Sequence, residues 1–336
     1  MCCPSERVLV ARPSVLTYAS AWITLSGMTR SALLRIMAAA PLGVFPLAGQ
    51  LASGPALPHK LVENWPQLPP GWNFGECSGV DVDKDDNVWV FNRGTHKLIQ
   101  FDKDGRVLAH WDDLPIVRSH GMRVDARGHI WLVDQKASSV FKFDRSGRLL
   151  MVIAQPSGRP GDNDAKYAFN EPTGLAFTPQ GDFYVSDGYV NSRVIKFNRD
   201  GEYLLHWGKK GKADGEFDLV HDVAVDSAGR VYVADRSNAR VQIFDPAGKF
   251  VGKWTHAGAP WGLYYVAREN AIYMCDGNNN RVVKLNPDGQ ILGVLGSFGK
   301  APGKLDFAHN MAVDSTGAIY VVEIKNWRVQ KFAPPR

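Results

Sequence analysis

The sequence predicts an all-β protein built as a six-bladed β-propeller. Three observations carry this. A unit of 40–53 residues recurs six times along the chain. Every unit splits at Gly-containing turns into short segments with alternating apolar residues, the signature of half-buried antiparallel strands. No stretch sustains a helical 3.6-residue period.

The units span 78–111, 120–153, 173–207, 221–254, 261–295 and 309–332. GRVYVADRSNARVQIFDPAGKFVGKW, GAIYVVEIKNWRVQKF and GDFYVSDGYVNSRVIKFNRDGEYLLHW show the common plan. Each has turns of the D-x-x-G, D-P-A-G or N-P-D-G kind, so each reads as a four-stranded meander. The sixth unit stops before its outer strand. Residues 60–65 (KLVENW) resemble that missing strand, so the N-terminal segment is expected to complete the last blade and close the ring.

Ahead of this domain, expected over 58–336, residues 1–57 read as a leader. Met28 stands before Arg30 and Arg35, then comes an apolar stretch over 36–49, then small residues around Ala52 and Ala56. That order is an export signal, with Met28 an alternative start, and it implies a periplasmic or secreted protein. The alternative is an uncleaved N-terminal anchor, the one membrane attachment the sequence suggests.

The chain carries +5 at neutral pH, but residues 1–60 hold five basic residues against the single acid Glu6. The body is therefore nearly neutral, which argues against a nucleic-acid partner. Of the 4 cysteines, only Cys77 and Cys275 lie beyond the leader, too few for a disulfide framework or a C-x-x-C metal site.

The informative residues are those that break the repeat. At the start of each inner strand stand Ser78, His120, Thr173, His221, Trp261 and His309. Histidine occupies alternate blades, so three imidazoles should converge on the channel axis about 120° apart by the symmetry of a six-bladed ring. Three neutral imidazoles with a coordination position left open suit a catalytic zinc, although another divalent metal is compatible. The competing reading is that each His merely bonds backbone at a turn. His110, His206 and His256 show no such pattern.

The loops between second and third strands should open on the same face. Arg93 lies in FNRGTH (91–96) and Tyr189 in SDGYVNSR (186–193), at equivalent places counted back from Phe101 and Phe197. Other blades have Lys136, Ser237 or Gly277 nearby. Alone, each is an ordinary surface residue; beside a metal they become candidates for anion binding and proton transfer.

The repeat resembles the NHL family over about residues 75–332. Five segments together resemble the peptidyl-α-hydroxyglycine α-amidating lyases: F-x-R-G-x-H at 91–96, H-G-x-x-x-D at 120–125, F-Y-V-S-D-G-Y-x-N-S-R at 183–193, H-D-V-A at 221–224 and A-H-N at 308–310. The resemblance implies zinc on His120, His221 and His309, with Arg93 and Tyr189 catalytic. It implies cleavage of the C–N bond of a carbinolamide to an amide and glyoxylate. Tyr189 would take the hydroxyl proton, and Arg93 would hold the substrate carboxylate or favour the phenolate.

The chain departs from the family pattern in three ways. Val190 stands where animal members have a disulfide-bonded Cys. Asn310, a further candidate for substrate binding, stands where the family often has the Asp that serves a structural calcium. The copper monooxygenase half that makes hydroxyglycine substrates is not in this sequence. A free-standing lyase on a small-molecule or peptide substrate is therefore expected. The alternatives are another metal-dependent propeller hydrolase or lactonase, and a non-catalytic NHL-repeat binding protein.

Overall fold

The computed structural model describes residues 51–154 and 158–335; the leader expected at 1–57 lies outside these up to residue 50. Six four-stranded antiparallel sheets follow one another around a ring. Blade one is Cys77–Val82, Val88–Asn92, Leu98–Phe101 and Val107–Trp111. Blades two to six begin with inner strands Ser119–Val124, Pro172–Phe177, Val220–Val225, Pro260–Val266 and Ala308–Val313.

Inner and second strands are buried on both faces, whereas outer strands such as Val107–Trp111 alternate toward solvent. The apolar core is divided among the seams. Trp89, Phe91, Met122 and Leu132 fill the seam between blades one and two, and comparable clusters fill the other five. Each such buried side chain is worth roughly 1.5–3 kcal/mol, so adjacent blades hold each other by their faces.

On the far side from the candidate site, the D-x-x-G turns are locked by an aromatic donor. The indoles of Trp89 and Trp131 donate to Asp83 and Asp125 at 3.3 and 3.0 Å; the phenols of Tyr232 and Tyr320 donate to Asp226 and Asp314 at 2.9 Å. At the other end, in blades three to six, an arginine ties loops to the acid that ends the second strand, as Arg193 does to Asp187 at 2.9 Å and Arg240 to Asp235 at 2.7 Å. In blade five Arg281 binds Asp276 at 3.0 Å, Asn279 donates to the same carboxylate at 2.8 Å, and Asn280 accepts from the Phe307 N–H at 2.7 Å.

Blade six is completed from the chain's beginning, with Lys60 opposite Ala333 and Leu61 opposite Phe332. The ladder is shorter than KLVENW. At Asn64 the backbone turns left-handed (φ 56°) and leaves the sheet, delivering Trp65 onto Tyr320 and Phe101, with ring centroids 4.9 and 5.8 Å away. Upstream, Leu57 donates to Val294 O (2.8 Å) and Val294 to Pro55 O (2.9 Å), along the outer edge of blade five. Cys77 and Cys275 are buried free thiols. Among the described residues no helix is long and apolar enough to cross a membrane.

Candidate active site

The second residue of each inner strand sits at an irregularity. In all six blades the register to the second strand shifts there, between Ser119 and Met122, Val220 and Val223, and Ala308 and Asn310 in the blades that carry histidine. A bulge re-aims a side chain out of the pleat. Here it lets the slot residue face the axis while its neighbours stay in the ladder.

His120, His221 and His309 come together at the axis, with ring centroids 4.8–5.0 Å apart and no more than 3% of each residue exposed. Each Nδ1 is bonded to the slot carbonyl of the next blade: His120 to Thr173 O (2.6 Å), His221 to Trp261 O (2.6 Å) and His309 to Ser78 O (2.7 Å). The alternation around the ring thus has a structural basis, since histidine blades supply imidazoles and the blades between supply their acceptors. A carbonyl accepts only from N–H, which fixes the proton on Nδ1 and leaves Nε2 with a free lone pair.

Burial disfavours the imidazolium. Together with the other imidazoles and nearby arginines, it holds His120 and His221 well below the usual imidazole range and pushes His309 down to about 3. Three neutral, oriented imidazoles are the donor set that a zinc site requires, so these residues fit that metal.

Tyr189 reaches over this group, its Oη 3.3 Å from Nε2 of both His120 and His221. The preceding Gly188 makes that approach feasible, because a Cβ there would lie 1.8 Å from Val220 O. Val190, in the place of the family's bonded Cys, is exposed.

Arg93 lines the same cavity, which measures about 380 Å³. Its guanidinium is already committed, pairing with Glu76 and donating from Nε to Ser119 O at 3.1 Å, while Arg118 shares the same carboxylate at 3.4 Å.

A residue not picked out from the sequence stands opposite. Arg236 lies over the Trp261 ring at 3.9 Å and the Tyr189 ring at 5.5 Å, and its buried Nη1 has no hydrogen-bond partner. Burial holds its pKa below the usual guanidinium value. A half-buried guanidinium that has Tyr189 and Trp261 as neighbours, no acidic partner, and one buried Nη1 left without a hydrogen bond is suited to receive an anion.

Asn310 does not reach this cavity. One step further down its strand, it accepts from the Met311 N–H (2.7 Å) and contacts Arg123 and Asp222 at 3.4 and 3.3 Å. Arg123 fills the channel below the imidazoles, donating to Asp222 (3.1 Å), Leu263 O (2.8 Å) and Met122 O (2.9 Å). A calcium ion needs six to eight oxygens around one point. Here the oxygens face a guanidinium, so these residues do not fit calcium.

The chain is similar in sequence to several known proteins. The NHL repeat model matches residues 169–197 and 217–244. The human NHL repeat-containing protein 3 is 31% identical over 299 residues, covering 82% of this chain and 84% of its own. Peptidyl-glycine alpha-amidating monooxygenase B of Xenopus laevis is 26% identical over 311 residues, 80% of this chain and 35% of that protein. Peptidyl-alpha-hydroxyglycine alpha-amidating lyase 1 of Drosophila melanogaster is 27% identical over 191 residues, 49% and 35% of the two chains.

Proposed function

The chain belongs to the NHL repeat family, and from that premise we propose that it is a metal-dependent carbon–nitrogen lyase acting on a carboxylate-bearing carbinolamide. The observation that carries this reading is the combination at one mouth: three imidazoles whose Nδ1 bonds turn Nε2 toward the axis, a phenol 3.3 Å from two of those Nε2 atoms, and a guanidinium with no acidic partner and an unpartnered Nη1. Similarity to proteins named as amidating lyases supports the choice of reaction.

His120, His221 and His309 would hold a zinc ion, whose chemistry there is Lewis-acid polarisation of a hydroxyl. This chain's other residues do the rest. Arg236 receives the substrate carboxylate, because it has no competing acid, and Trp261 beneath it keeps water from the pair. Arg93, fixed by Glu76 and Ser119 O, is a preset positive charge at the same mouth. Tyr189, acting as the phenolate, accepts the α-hydroxyl proton and, now the phenol, returns it to the departing nitrogen. The C–N bond breaks, its electrons pass to nitrogen, and the former carbinol carbon becomes an aldehyde. An N-acyl-α-hydroxyglycine thereby gives a primary amide and glyoxylate, with no oxidant consumed. Structural calcium has no part in this reading, since Arg123 occupies that level of the channel. With an export leader, the reaction would run outside the cytoplasm.

The test is glyoxylate release from an N-acyl-α-hydroxyglycine by metal-stripped and zinc-restored protein. Release that returns with zinc supports the assignment. No release from protein that retains one tightly bound zinc would sink the substrate assignment and favour a hydrolase.

A further inference from the structure

A second cluster of metal-type donors lies outside the channel, on the outer part of blade one. His96 ends the loop that begins with Arg93, His110 belongs to the outer strand Val107–Trp111, and Asp112 follows that strand. Both imidazoles turn Nδ1 to one carboxylate: His96 Nδ1 is 2.9 Å from Asp112 Oδ1, and His110 Nδ1 is 3.0 and 3.1 Å from its two oxygens. The rings are 5.2 Å apart, and Trp72 is stacked on His96 at 3.5 Å and meets His110 edge-on at 4.8 Å.

The backbone beneath is equally fixed. Asn92 donates to His96 O at 2.7 Å and accepts from the Gly94 N–H at 2.8 Å. The donors therefore belong to two separate segments that the fold holds in register.

We propose that His96, His110 and Asp112 form a second metal site, for a late first-row divalent ion such as zinc or copper(II). The donor chemistry selects the class. Two imidazoles and one carboxylate favour zinc or copper, whereas calcium and magnesium prefer oxygen shells. Tetrahedral bonds of about 2.0–2.2 Å from one ion place neighbouring donors roughly 3.3–3.6 Å apart, so the two imidazole–carboxylate contacts at 2.9–3.1 Å need open only slightly to admit one. His110 and Asp112 are about two-fifths exposed, leaving room for water to complete the shell. An ion at this position ties the Arg93 loop to the outer strand, three residues from the guanidinium at the cavity. This site shares no ligand with the channel histidines.

The experiment measures zinc bound to the full-length protein after chelation and equilibrium dialysis against zinc. His110→Ala should lower the metal-to-protein ratio by one relative to the parent, His221→Ala should lower it by one independently, and the double variant by two. Asp112→Asn, which preserves size and hydrogen bonding, should weaken rim binding at least tenfold. With copper(II), the His221→Ala protein should give a paramagnetic resonance spectrum showing nitrogen coupling that His110→Ala then removes. A parent ratio unchanged by both His110→Ala and Asp112→Asn overturns the rim site. A ratio lowered by His110→Ala but not by His221→Ala leaves the rim site standing and removes the channel metal.

Discussion

Replacing Arg236 with Met keeps the length of the side chain, and much of its bulk, over Trp261 while deleting the charge. In the free protein this removes a half-buried guanidinium whose Nη1 has no hydrogen-bond partner and whose polar contact is with the neutral Tyr189 hydroxyl, so little stabilisation is lost. Against this stands the cation–π contact to Trp261 at 3.9 Å, worth about 0.5–2 kcal/mol. Folding stability should therefore stay within about 1 kcal/mol of the parent. Catalysis should not. A charge-assisted hydrogen bond contributes about 1.5–3 kcal/mol, and a bidentate carboxylate makes two, of which part is recovered by rehydration. A loss of about 3–4 kcal/mol corresponds to a drop in kcat/KM of roughly 100- to 1,000-fold. The assay compares glyoxylate release from an N-acyl-α-hydroxyglycine with aldehyde release from a carbinolamide lacking the carboxylate, alongside denaturant unfolding. The acid substrate should suffer and the neutral one should be nearly unaffected. Equal loss on both substrates, or a change below threefold on the acid, would refute the assignment of Arg236 to the carboxylate.

Tyr189→Phe should abolish turnover with bound metal unchanged, by metal analysis and steady-state rates; a near-normal rate would sink the proton-transfer role. His221→Ala should lose the channel metal and activity together, and added zinc should not restore the rate at concentrations that reload stripped parent protein. Arg123→Met should destabilise the fold by about 3–5 kcal/mol, because it leaves the buried Asp222 carboxylate without its cation. Arg123→Met/Asp222→Asn should recover much of that in denaturant titrations. Calcium-selective chelation should leave both activity and stability unchanged.

The ring was legible because its repeats are internal controls for one another. Six copies of a period-2 meander define the blades, and deviations at a shared slot expose His120, His221 and His309. Three features were less visible. Arg236 occupies the slot of Arg93, since loops 93–96 and 236–239 each follow a second strand of matching register, Phe91 opposite Leu98 and Asp235 opposite Arg240. The blade-three loop holds one more residue, with Asp187 opposite Arg193, yet the count of eight back from a Phe that reaches Arg93 from Phe101 and Tyr189 from Phe197 also reaches Arg236 from Phe244; taking the neighbouring Ser237 as blade four's residue is what hid the match. The Asn-Arg and Asp-Arg pairs that end those two strands were the available signal. The use of Asn310 could not be read from its own segment either. It depends on Arg123 and Asp222, which lie 187 and 88 residues away in sequence. The short ladder at 60–61 reflects a local event, the left-handed turn at Asn64, that strand pattern alone does not encode.

The pairing of Lys60 and Leu61 with Phe332 and Ala333 sets the order in which this molecule can be finished. During synthesis the first five blades can assemble as they emerge, each needing only its own hairpins and the preceding face. The sixth remains an open edge until its third strand, Arg328–Ala333, arrives and meets a segment made some 270 residues earlier. Until then the edge of the incomplete last blade is available to any extended chain nearby. The seam thus cannot close before the end of the chain is made, and it is a place where a neighbouring molecule can substitute its own N-terminal segment. Strand exchange at blade six is the characteristic error to which this architecture is open, and a single covalent bond across residues 60 and 333 would close it.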